Sequence, residues 1–146
     1  MVDKEHKIFL IGCFITVSVI AYLLNWNFDS MADTATTLVS IAVGVYIAAA
    51  SALLGSPYAK ELKQTTDKKR TSNTLLGTLL DYFRHAGKLG ITTVIVSCLY
   101  KIPATYNVPI IIARIGSAVA YGIFFCNILF LWLVFVFLVN SIEKSV

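Results

Sequence analysis

The chain has 146 residues, 58% of them apolar and only 14% charged, with a formal net charge of +4 and a mean hydropathy of +0.78. A water-soluble globule, with about half its residues apolar and about a quarter charged, is excluded by these values. Cys13, Cys98 and Cys126 fall in apolar runs at no metal-like spacing, so they read as small hydrophobes and not as zinc ligands or a disulfide framework.

About 20 residues of helix cross roughly 30 Å of hydrocarbon. A first span is expected over about residues 8–26, preceded by Lys4 and Lys7 and closed by Trp26, an aromatic suited to the membrane interface. No small-x-small cleavage site follows Leu24, so this segment is expected to be retained as a span. The loop from Asn25 to Thr34 carries Asp29 and Asp33 and no base. A second span follows over 35–55, capped by Asp33 or Thr34. Ser40, Gly44, Ala48 and Ala52 recur there every four residues, a ridge of small side chains that lets another backbone approach. Contact within the chain, contact between copies and exposure to a narrow pore all remain open for it.

Gly55-Ser56-Pro57 ends the second span and opens a basic loop, 56–88. Pro57 suits the start of a short helix to about Arg70, with a turn at 71–73. From Thr74 onward Leu75, Leu76, Leu79, Leu80 and Phe83 share one helical face, and Thr78, Asp81, Arg84, His85 and Lys88 the other. That amphipathic segment is expected to lie along the inner membrane surface, or to form a collar in a ring of copies. A short third span is expected at 86–102, ending at Lys101-Ile102-Pro103, and a fourth at 109–140, with Pro109 in its first turn. Arg114 then stands about one and a half turns inside, needing to snorkel, to pair with Asp29 or Asp33, or to meet water. Asn127, near the middle, needs a helix partner or a water-filled path.

The fold class is therefore an all-α integral membrane protein, a single membrane domain of four transmembrane helices with a cytoplasmic amphipathic helical segment between spans two and three. Lys4, Lys7, Lys60, Lys63, Lys68, Lys69, Arg70, Arg84, Lys88 and Lys144 fall on one side of that arrangement and Lys101 and Arg114 on the other. Such a bias puts the basic side in the cytoplasm, with both ends of the chain there.

No Asp, Glu or His lies inside a predicted span, which argues against a proton-coupled carrier. His6 and His85 sit at boundaries without a carboxylate pair or a phosphate loop, so no enzyme, cofactor or metal is expected. Charge gathers only in the central loop. Lys60, Lys63, Lys68, Lys69, Arg70, Arg84, His85 and Lys88 are candidates for holding an anion, a nucleotide or oligonucleotide, with Tyr58, Tyr82 or Phe83 as stacking faces. The alternative is that these bases set topology and attract anionic lipid.

Ala35-Thr36-Thr37-Leu38 opening span two, Leu53-Leu54-Gly55-Ser56 ending it, the basic stretch after it and a Pro-containing loop before a long last span together resemble RexB, the four-span protein of a phage exclusion system. The layout is also similar to other small membrane effectors of bacterial anti-phage systems, the Hailong channel and the membrane subunit of Kiwa among them. The resemblance implies an ion channel that collapses the membrane potential, controlled by a nucleic-acid product or by a nucleotidyltransferase-type partner, and a homo-oligomer, a tetramer by analogy. Four thin helices cannot enclose a conduit alone, so copies around an axis are expected, lined by Ser40 and Gly44 in span two or by Phe124, Asn127, Leu131 and Val134 in span four. Arg114 would stand at the outer mouth. A non-conducting anchor for a cytoplasmic partner and a holin-like lysis protein are the alternatives.

Overall fold

The computed structural model describes residues 4–67, 70–102 and 109–143. Helix α1 spans Lys4–Leu23. It closes on Asn25, whose φ of 55° is left-handed. There the N–H of Trp26 donates to the Ala21 carbonyl (3.0 Å) and that of Asn25 to Tyr22 (3.3 Å), the double bond of a Schellman closure, with asparagine tolerating the turn that glycine usually makes.

Helix α2 then runs Asp29–Gly55, six residues ahead of the expected start at 35, which leaves a loop of only 24–28. The threonines do not delay it, because the hydroxyls of Thr36 and Thr37 donate back to the carbonyls of Ala32 and Asp33 (2.8 and 2.9 Å) within the helix. Asp29 in the first turn complements the helix dipole. The loop is fastened by Phe28, fully buried, edge-on to Tyr100 and Tyr121 at 5.3 and 5.2 Å between ring centres.

Helix α3 covers Tyr58–Gln64 and stops short of Arg70. The chain after it turns extended, and β1 (Thr66–Asp67) pairs antiparallel with β2 (Arg70–Thr74). The expected turn at 71–73 is thus a strand, and the expected all-helical loop holds a small ribbon. Thr65, Thr66, Thr71 and Thr74 favour extended backbone over helix, which outweighs the helix signals of the neighbouring lysines.

Helix α4, Leu75–Lys101, is capped by Thr74, whose Oγ1 accepts from the Gly77 N–H at 3.2 Å. Its length merges what were expected to be a surface helix and a separate third span: no break occurs near 86. Thr78 also departs from expectation, facing inward with Leu79, Tyr82, Phe83 and Ala86, whereas Arg84, His85 and Lys88 remain exposed. Helix α5 runs Ile110–Glu143, and the N–H of Ala113 reaches the Pro109 carbonyl at its start.

The helices pack as two antiparallel pairs, α2 with α4 and α1 with α5, joined mainly where α4 meets α5. The α2/α4 pair is matched along its length: Lys101 meets Asp29 and Asp33 at one end, Gly90 lies against Val39 and Val43, and Phe83 meets Tyr46 toward the other. One core cluster, rich in alanine, joins Ala21, Phe28, Ala32, Ala35, Val39, Ala118, Ala120, Tyr121 and Phe124. The other, toward the basic end, joins Tyr46, Leu79, Tyr82, Phe83, Phe130 and Val134. Helices α1, α2 and α5 are long and apolar enough to cross a membrane. Helix α4 is as long as α2, at 27 residues, but carries Asp81, Arg84, Lys88 and Lys101.

Candidate functional surfaces

The basic candidates do not converge on one pocket. Lys60 and Lys63 are exposed on α3, which packs beside the start of α4. Arg84, His85 and Lys88 share the outward side of α4 beginning nine residues below its start, about 13 Å along the axis. The Arg84 Nη1 lies 3.5 Å from the Asp81 carboxylate, with its side chain 68% exposed, and His85 Nδ1 donates to the Asp81 carbonyl at 2.7 Å. Arg70 opens β2, and Lys68 and Lys69 lie outside the described residues.

Two of the three expected stacking aromatics are unavailable to a ligand. Tyr82 and Phe83 are buried in the cluster at the basic end, and the Tyr82 hydroxyl forms a 2.7 Å hydrogen bond with Nδ1 of His6. That contact gives His6, expected only as a boundary residue, a structural partner: it ties the beginning of α1 to α4. Tyr58 is half-buried.

On α5 the structure separates the expected pore residues from any outward face. Asn127 is 2% exposed, and its Nδ2 donates to Thr93 Oγ1 on α4 at 3.1 Å. Thr93, itself buried, donates its own hydroxyl hydrogen bond to the Leu89 carbonyl at 2.9 Å. A partner on a neighbouring helix thus answers the amide, and no water path is needed to explain it. Phe124 and Val134 are buried in the two clusters, and Leu131 packs half-buried against the second. These four cannot line a conduit between copies in this conformation. Ser40 and Gly44 do face outward: Ser40, Gly44, Ala48 and Ala52 are all exposed on α2, and a methyl added at Gly44 would meet nothing within 4 Å.

At the opposite end, Arg114 pairs with neither Asp29 nor Asp33. Its Nη2 donates to the Tyr22 carbonyl at 3.1 Å, and its guanidinium sits 5.0 Å from the centre of the Tyr22 ring. The cation caps the last turn of α1, sharing the Tyr22 carbonyl with the Asn25 N–H. Lys101 takes both aspartates, with Nζ 3.0 Å from Asp33 and 3.7 Å from Asp29. Trp26 packs on Tyr121 at 5.3 Å, and the Tyr121 hydroxyl donates to the Asn27 carbonyl at 3.3 Å.

Sequence reasoning missed Thr93 and Phe28. Thr93 was legible as a polar group in the expected third span that needed a partner, as Asn127 did in the fourth; Phe28 carried no signal, since its burial depends on Tyr100 and Tyr121 far along the chain. No family model, curated protein or solved structure matches this chain.

Proposed function

We propose that this chain is a four-span inner-membrane protein that assembles with copies of itself into an ion channel, an anti-phage effector that depolarises the membrane when a signal reaches its basic cytoplasmic end. The observation that carries assembly is the outward ridge Ser40, Gly44, Ala48 and Ala52. It is a smooth helix face with open space at Gly44, a surface that another backbone can approach closely in lipid, where small residues drive helix association.

A crossing by α4, which brings the number of spans to four, is supported by its match to α2 in length and register. A helix that runs antiparallel beside a membrane-crossing neighbour from end to end shares its depth. The bundle interior is filled by the two core clusters, so ions pass between copies and not through one chain. Conduction is supported by the layout shared with small membrane effectors. The signal is an anion, a nucleotide or oligonucleotide, or a partner of the nucleotidyltransferase type, meeting Lys60, Lys63, Arg84, His85 and Lys88.

Purified protein in planar bilayers is expected to pass current that changes when short oligonucleotides or cyclic nucleotides are added to the basic side. Gly44→Leu is expected to lower both the cross-linked oligomer and the current. A silent bilayer with intact partner binding would establish a membrane anchor instead, and release of entrapped proteins from liposomes a holin-like lesion.

A further inference from the structure

Lys88 stands at the middle of α4, equally far from Leu75 and from Lys101, and its side chain is exposed. Close by, Gly90 packs against Val39 and Val43, at the middle of α2. The middle of one helix thus lies beside the middle of the other. A helix of 27 residues is about 40 Å long, and the hydrocarbon core is about 30 Å thick. Wherever that core sits along a crossing α4, Lys88 is at least about 10 Å inside it. The four-carbon stem of a lysine does not carry its ammonium that far. A cation at such a depth needs a counter-charge or water. Among the described residues no ion pair holds Lys88: Asp81 takes Arg84, and Asp29 and Asp33 take Lys101.

Of the long helices, α4 alone carries such a group. No Asp, Glu, Lys or Arg occurs in α1 after Lys7, in α2 between Asp33 and Gly55, or in α5 between Arg114 and Glu143. On α4 the exposed side chains of Arg84, Lys88 and Thr92 recur every four residues and so form one line, with His85 beside it. The Thr92 hydroxyl donates to the Lys88 carbonyl at 2.9 Å. Beyond Thr92 the same face turns apolar, at Ile95 and Leu99. The result is a polar track that opens at the basic end and stops just past the middle of the helix.

We infer that water fills the space along this track, from the basic end as far as Thr92, and that α4 is the helix that lines the conduit between copies. This rests on the channel reading above and adds to it the lining helix. The interior of one chain is filled by its two core clusters, so the water against Lys88 lies outside the chain, where a second copy keeps lipid away from it. Ile95 and Leu99, farther along the same face, are the dry part of the path, which closes by dewetting.

The test is labelling of the full chain in sealed vesicles with a membrane-impermeant maleimide, in a background in which the exposed Cys98 is replaced by serine. Added from the basic side, the reagent is expected to label Lys88→Cys and Thr92→Cys, with loss of the current, and to leave Ile41→Cys, exposed near the middle of α2, unlabelled. Lys101→Cys is expected to react from the opposite side only. A conducting protein in which Lys88→Cys and Thr92→Cys resist the reagent overturns the α4 lining and leaves the channel standing. Labelling at Lys88→Cys that leaves the current intact also overturns it, with headgroups drawn in around α4 then supplying the water. A labelled Lys88→Cys in a protein that never conducts overturns the channel and leaves the wet face. Reaction of Lys101→Cys and Lys88→Cys alike from the basic side puts α4 outside the membrane and overturns the inference.

Discussion

Asn127 and Arg114 are two of the polar side chains that an apolar α5 has to accommodate, and each finds a partner on another helix. Asn127 bonds Thr93 on α4, and Arg114 bonds the end of α1 through Tyr22. Hydrogen bonds of this kind between membrane helices are worth about 1 kcal/mol, since the separated helices find other partners in lipid. Asn127→Leu is therefore expected to lower stability by about that amount in mixed-micelle unfolding. It should leave current through an assembled channel unchanged, because the side chain points into the closed interior. A current abolished by this substitution with assembly intact would return Asn127 to the conduit. Both residues stood out in the sequence as groups that required an explanation. Which explanation applied was not legible there, because a chain of apolar residues does not say which of its helices are neighbours.

The elements show where pattern reading succeeds and where it stops. The ends of α2, α4 and α5 near Gly55, Lys101 and Ile110 follow from the glycine, serine and proline signals that flank them, whereas α1 stops at Leu23, short of the end expected at Trp26. The beginning of α2 and the unbroken α4 do not follow from such signals, since threonine back-bonding and packing against a neighbour set them. The register of α2 on α4 depends on Gly90, where a methyl group would collide with Val43. Gly90→Ala is expected to cost about 1–3 kcal/mol by forcing the helices apart. Gly44→Ala, in open space, should be neutral for the single chain. Parallel unfolding titrations of the two variants check the difference, and equal losses would mean that α2 and α4 are packed in another register.

At the scale of the whole molecule, the number of crossings decides on which sides the ends lie. With α1, α2 and α5 alone crossing, the two ends face opposite sides of the membrane; with α4 crossing too, they share one. Terminal tags probed in sealed vesicles are expected to be protected together or exposed together. A cysteine at Lys63 should react from the side of the tags and one at Asp33 from the other, and tags on opposite sides would remove α4 from the membrane.

The pairing of α1 with α5 joins two helices that are far apart in the chain and made at different times. During translation α1 emerges without its packing partner, and it cannot take its place until the ribosome has made α5. The adjacent pair, α2 with α4, can close earlier. Biogenesis therefore has an order built into it: the α2/α4 hairpin matures first, and the terminal helices lock around its α4 side only after the final span is delivered.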